Sequence, residues 1–404
     1  MATDAVVQIR SFNAGRDPQR LAMKYQKMRA STFAFLRATC HLFYQRLATQ
    51  ERLKDAPLVW ACGDLHLENF GSYKGSNGQV YFDLNDFDEA ALAPANWDLV
   101  RMLASIEIGA MDAGLKSKRA QVLCQAFVQA YAEALSLGKS YWLERETATG
   151  PIHHLLSDLR ERKRSAFLDT RTDVRGGKRA IRLDGKKALP ASAQERKHVK
   201  ALISSYASTL STPGFYRVLD VARRIAGTGS LGLERYMVLV QGKGGVDGNY
   251  LLDLKRAVPS SLTPYLKTKQ PRWPSEGQRV VTLQQRIQAV PMAFLNSIED
   301  AKASYVLRAL QPSEDRIRIS ESTLAPGGQE DLIHAMGQMV AWAHLRTCAR
   351  QGSAGADELI AFGKRKAWRS PLLASAKRCA QQVRQDAVLF NQAYDRGEFD
   401  VHSS

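Results

Sequence analysis

Asp64, Asn69 and Asp86 are the residues of this chain whose types and spacing best suit chemistry. An aspartate is followed five positions later by an asparagine and, beyond a short strand, by a second aspartate, all within GDLHLENFGSYKGSNGQVYFDLNDFDEA from Gly63 to Ala90. Phosphoryl transfer needs a carboxylate to orient or deprotonate an acceptor hydroxyl, and hard oxygen ligands to hold Mg²⁺ against the phosphates. Asp64 suits the first task, Asn69 and Asp86 the second. Strand alternation sets Asp83 opposite Phe82 and Leu84, so Asp83 and Asp86 both stay open as the carboxylate that faces a nucleotide, with Asp88 as a further rival.

A second group lies far downstream. Gly227-Thr-Gly-Ser-Leu-Gly232 is followed by the β-rich run RYMVLV, a glycine-rich turn and YLLDLK, which ends on Lys255. A dinucleotide fingerprint would open a helix after its strand. Here the loop is expected to join two antiparallel strands, where bare backbone can drape over phosphates. Gly227, Gly229, Ser230 and Gly232 would line the phosphates and Lys255 would supply a cation. Alone, the block also reads as a structural turn with an exposed lysine. Together with Asp64, Asn69 and Asp86 it completes a site.

Periodicity predicts the elements that hold these groups. Residues 21–53 keep apolar residues at helical spacing without Gly or Pro, which predicts one or two helices. APLVWACGD shortens to a strand ending at Gly63, SYKGSNG reads as a hairpin turn and QVYFDLN as a strand. Residues 97–138 read as two amphipathic helices, with Asp98 placed to cap the first or to brace the loop at Asp64. A basic insertion at about 159–200 and a helix over about 195–206 follow. Composition changes near Pro213, where a strand-rich block begins; it includes a helix over 277–290 and the strand SYVLRAL, followed by the polar connection QPSEDR. Helical periodicity returns from Asp331, and no internal repeat is visible. The expected organisation is a catalytic-loop half over 1–212, the strand block over 213–312, and C-terminal helices over 313–404 that rejoin the first part.

The chain has 404 residues, 45% hydrophobic and 24% charged, the composition of a globular protein of two or three domains. Cys40, Cys62, Cys124, Cys348 and Cys379 form no CxxC pair, which argues against a disulfide framework or a zinc site. Neither a signal peptide nor an apolar run of the roughly 18 residues needed for a membrane span is present, so a cytoplasmic location is expected. The net charge is +17, and residues 160–200 hold 14 Lys/Arg against 5 Asp/Glu. That segment reads either as a groove for an anionic partner or as a solvated insertion. Phe167 is its only aromatic residue, which disfavours a stacking platform for nucleic acid.

CGDLHLENF, GQVYFDLN, NDFDEA and ANWDLV resemble successive motifs of the aminoglycoside phosphotransferases and the choline and fructosamine kinases: an HGDLHxxN loop, a short hairpin, an IDFxDA metal segment and a WDL helix start. GQMVAWAHLRT resembles their helix of the GxxLAxLH type. The order is inverted, because the catalytic loop precedes the glycine loop by about 160 residues. The resemblance therefore implies a circularly permuted, kinase-like α+β fold of two lobes, mainly helical with a small antiparallel sheet lobe. Nearly the whole chain is also similar to an uncharacterised bacterial domain family with GDxHxxNFG and FDxNDFDE early and GxGSxG with a lysine strand late.

By this resemblance Asp64 is the catalytic base, Asn69 and Asp86 bind Mg²⁺, the glycines form the phosphate loop and Lys255 pairs with the phosphates. His66 would support the loop or the acceptor, with loop bracing preferred. The sequence departs from the pattern at Cys62, which replaces a histidine, at Arg256 after the lysine, and in the helix over 277–290, which has no glutamate for Lys255. Either Glu276, Gln284 or Gln285 substitutes, or the lysine is held differently. The expected activity is ATP- and Mg²⁺-dependent transfer to a hydroxyl acceptor, anionic or macromolecular given the basic segment. Nucleotidyl transfer at the same site and a silent scaffold that binds an anionic partner are the alternatives.

Overall fold

ANWDLVRMLASIEIGAMD, over Ala95–Asp112, is apolar around most of its circumference, and such a helix must be enclosed. Every residue from Leu99 to Ala110 is buried, under Thr32–Ala38, Ser117–Leu137 and the long helix Arg369–Asp395. The computed structural model describes residues 5–49, 55–311, 315, 317, 319 and 327–400; the connection QPSEDR lies largely outside them. Helices make up about 49% and strands 17%, so the fold is α+β with helix predominant, as expected. Helices from the two ends of the chain share one core: Arg369–Asp395 packs on Ala5–Phe12, Pro18–Ala30, Thr32–Ala38 and Cys40–Ala48, and Gly328–Arg346 lies along Ser117–Leu137. Among the described residues no helix is long and apolar enough to cross a membrane.

The run over 21–53 breaks into more helices than expected, for a local reason. Ser31 adopts extended backbone (φ −155°), and its Oγ accepts from Ala34 N at 3.1 Å, ending one helix and capping the next. The strand expected before Gly63 is Leu58–Ala61. The hairpin expected after Asn69 pairs Phe70–Lys74 with Val80–Leu84.

Six antiparallel strands form the main sheet, in the order Asn296–Glu299, Ser304–Ala309, Tyr250–Arg256, Arg235–Val240, Val218–Arg224 and Ala188–Pro190. Alternation gives its faces different characters. Val221, Val238, Leu252 and Leu254 face Val199, Leu202 and Ile203 of Ala193–Ala207. On the other face Ala222, Met237, Leu239 and Leu251 lie under Leu168 and Ile181, while Arg224, Arg235, Asp253, Lys255 and Arg308 carry the same face on toward the helices.

The basic segment is thus a cover for the sheet, not a loose insertion. Its hairpin, Thr172–Arg175 with Lys178–Ile181, packs on the apolar half, and its end becomes the edge strand Ala188–Pro190. Much of its charge is answered locally, by Arg179 to Asp169 at 2.6 Å and Asp247 at 2.9 Å, and by Arg182 to Asp173 at 2.7 Å. The strand-rich unit therefore reaches back beyond Pro213 to include Ala188–Pro190 and Ala193–Ala207.

Asp83, expected as a rival to Asp86, is engaged within the core. It is 3% exposed and paired with Arg346 Nη2 at 3.0 Å, and its Oδ1 accepts from Leu84 N. Burial raises its pKa, against the pull of Arg346. Arg346 also donates to Ile287 O at 2.6 Å and Tyr141 O at 2.8 Å, joining Gly328–Arg346 to the end of Glu276–Ile287, to the loop at Tyr141 and to the hairpin. Arg346→Met is expected to cost about 3 to 5 kcal/mol in urea unfolding, because Asp83 is left buried without its cation. Adding Asp83→Asn to that variant should recover part of the loss, as a double-mutant cycle reads directly.

Candidate functional site

The loop that carries Asp64 is fixed from beneath. Asp98, in the first turn of Ala95–Asp112, accepts from Cys62 N at 2.7 Å and Gly63 N at 2.9 Å, the bracing role anticipated for it. His344 Nε2 lies 3.5 Å from the same carboxylate, and its Nδ1 is 2.9 Å from Tyr131 OH, so the helices Gly328–Arg346 and Ser117–Leu137 stand behind the brace. Gly63 has φ +87°, and a Cβ there would fall 2.3 Å from Glu89 O, so only glycine lets the loop pass under the metal segment.

Asp64 is held most closely through one oxygen. Its Oδ1 accepts from Arg101 Nη2 at 2.6 Å and Nε at 3.1 Å, and Oδ2 lies 4.0 Å from His66 Nε2. Arg101 is fully buried and also donates to Leu36 O. His66 Nδ1 accepts from Glu68 N at 3.1 Å, the loop-bracing arrangement. Asn69 is 1% exposed. Its Nδ2 donates to Asp64 O and Asp86 O at 3.0 and 3.2 Å, and its Oδ1 accepts from Asp86 N at 2.8 Å and Asn85 N at 3.3 Å. An oxygen that already takes two N–H groups has no lone pair left for an ion. As placed, Asn69 fastens the loop to the metal segment.

Asp86 and Asp88 meet Lys255 from the other half of the chain. Lys255 Nζ lies 3.8 Å from Asp86 Oδ1 and bonds Asp88 Oδ2 directly. Burial lowers the lysine's pKa, against the pull of Asp86. The substitutes expected for the missing glutamate are engaged elsewhere: Glu276 pairs with Arg279 at 2.5 Å, Gln284 donates to Gln288 Oε1 at 3.1 Å, and Gln285 is exposed. Lys255 finds its anions within NDFDEA itself. Next to them Glu89 is tied to Ser261 N at 2.5 Å and Oγ at 2.9 Å.

The glycine loop joins Val218–Arg224 to Arg235–Val240, which pair antiparallel, and Tyr250–Arg256 is the next strand, as expected. The N-terminal turn clamps the loop. Arg16 Nη1 donates to Gly229 O at 2.7 Å and Leu231 O at 3.0 Å, Lys24 Nζ to Gly229 O at 2.9 Å, and Asp17 N to Gly232 O at 2.9 Å. These halves enclose a cavity of about 470 Å³ lined by, among others, Asp64, His66, Asn69, Asp86, Asp88, Gly227, Gly229 and Ser230. Gly232 and Lys255 stand behind that lining, and Asp83 lies apart from it.

Pattern reading missed the arginines. Arg224, Arg235 and Arg308 line the cavity and converge on Asp253, at 2.8, 2.7 and 3.4 Å from its Oδ2. Asp253 is fully buried; burial pushes its pKa up, but the three guanidinium groups hold it well below the usual carboxylate range. Alternation put Asp253 on the face of Lys255, a signal present in YLLDLK. Register, which sets Arg308 opposite Asp253, was not legible.

A divalent ion fits what is here in a limited way. Asp86 and Asp88 already converge on one positive charge, yet among the described residues no group of at least three His, Cys, Asp or Glu side chains could hold a metal. An ion with few protein ligands completes its shell with water and phosphate oxygens, as Mg²⁺ does.

Asp253→Asn should destabilise the fold by about 3 to 5 kcal/mol at neutral pH, since the arginines lose their shared anion. Because the native pKa is depressed, the carboxylate's contribution is present above its unfolded value of about 3.9 and is lost as pH falls through the native value. Denaturation midpoints of parent and variant are therefore expected to differ at pH 7 and to converge in strong acid.

Residues 16–393 match the model of a family described as "Uncharacterized protein conserved in bacteria (DUF2252)". No curated protein and no solved structure matches the chain.

Proposed function

The chain belongs to that bacterial family, and we propose that it is an ATP- and Mg²⁺-dependent phosphotransferase acting on a hydroxyl acceptor. One observation carries this reading. Asp64, Asp86 and Asp88 share a cavity with Gly227, Gly229 and Ser230, about 160 residues away in the chain, and Lys255 bonds the metal segment across the seam. The kinase-like resemblance of the motifs agrees with it.

In the proposed reaction the acceptor oxygen forms a bond to the γ-phosphorus, the bond from that phosphorus to the bridging oxygen breaks, and ADP leaves. Asp64 Oδ2 orients the hydroxyl and takes its proton. Arg101, held on Oδ1, keeps the carboxylate in one rotamer. A loose transition state asks for orientation more than for a strong base, which suits a carboxylate already paired with a guanidinium. When bound, a divalent ion would neutralise the phosphate oxygens, and Asp86 and Asp88 would hold it. Lys255 keeps those two carboxylates together.

Mg-ATP should raise the thermal midpoint of the parent protein, and Asp86→Asn should remove that shift. Asp64→Asn should keep the shift and lower turnover by about 100-fold or more. A parent protein indifferent to Mg-ATP would sink the proposal. Binding that falls steeply with salt and ignores Asp86→Asn would favour the silent scaffold. Intact mass after incubation with ATP and acceptor separates a phosphoryl from a nucleotidyl adduct.

A further inference from the structure

We infer that the cavity holds a condensed phosphate chain through Arg224, Arg235 and Arg308, the inference resting on the nucleotide reading only for what carries that phosphate. The residues come from three strands, and register brings them together. Arg224 follows Arg223, which pairs with Tyr236; Arg235 lies opposite Lys255; Arg308 lies opposite Asp253. Asp253 serves as their common anchor: Arg235 reaches it through Nε at 2.9 Å and Nη2 at 2.7 Å, Arg224 through Nη1 at 2.8 Å and Arg308 through Nε at 3.4 Å.

Backbone carbonyls aim the remaining ends. Arg224 Nη2 donates to Gln311 O at 2.9 Å, Arg308 Nη1 to Asn85 O at 3.1 Å, and Arg235 Nη1 to Ala226 O at 3.3 Å, beside the glycine loop. Three guanidinium groups bring more N–H donors than one carboxylate can accept, and positive charge is left over at the cavity wall. Planar guanidinium groups on fixed anchors suit bidentate contact with phosphate oxygens. Lys255, by contrast, is engaged by two aspartates behind the lining. The phosphate role expected of the lysine thus passes to the arginines, and the lysine's own role is to gather the acids.

The test is calorimetric titration with sodium tripolyphosphate and, separately, with ATP. Both should bind the parent, and Arg308→Gln and Arg224→Gln should each weaken both by about 10- to 100-fold, the range for a lost hydrogen bond to a charged group. Arg182→Gln, which removes the same charge from the distant hairpin, should leave affinity within about 3-fold. Arg308→Gln leaves Asp253 two cations; a ligand-free melt checks its folding, and Arg308→Lys should recover part of the affinity. Equal binding by the parent and both arginine variants would overturn the inference while leaving the nucleotide reading intact. Failure of tripolyphosphate to bind the parent would overturn it as well. Arginine-dependent binding of tripolyphosphate without binding of ATP would keep the inference and sink the nucleotide reading.

Discussion

The molecule turns on the ion pairing of Lys255 with Asp86 and Asp88. A buried ammonium is costly unless it is answered, and here the answer to Lys255 comes from two partly exposed carboxylates of the opposite half of the chain. Around this contact the seam is closed by hydrogen bonds to backbone carbonyls: Arg279 donates to Asp88 O, Ala90 O and Val258 O, and Ser260 Oγ to Glu89 O. NDFDEA is therefore held by its backbone as well as its acids. Sheet and helical layer meet along it, and the cavity is the space left beside that joint.

Two networks keep the rest of the cavity in place, and they differ in kind. Beneath Asp64, Asp98 answers two backbone N–H groups with His344 and Tyr131 behind it, a chain in which each polar group has a near partner. On the sheet, Asp253 answers three cations and leaves charge in excess. The first network makes a rigid floor. The second makes a wall with a field, and fields act on ligands where floors only position them.

Much of this was legible in the residues. GDLHLEN and NDFDEA located the acids, the glycine loop was placed between antiparallel strands because RYMVLV is β-rich, and bracing was one of the two roles open to Asp98. What escaped was set by pairing across strands and by packing between distant segments. Alternation shows which residues of one strand share a face, but not what stands opposite them. So the arginine cluster went unseen, the choice among partners for Lys255 stayed open, and the backbone bonds of Asn69 were not foreseen. The basic segment misled for a related reason: a count of charges does not show that Leu168 and Ile181 beneath them cover a sheet.

The clamp on the glycine loop carries a consequence for how the molecule comes into being. Arg16 and Lys24 are made early, yet the carbonyl they grip, on Gly229, is made some 200 residues later. Contacts of such sequence separation are slow to form and cannot form at all while the ribosome still holds the second partner. Arg308, later still, closes the wall. During synthesis the acids are thus translated long before the groups that complete their cavity, so a growing chain carries the chemistry-bearing loop without a chamber for it. The cavity closes only once residues more than 200 positions apart have met.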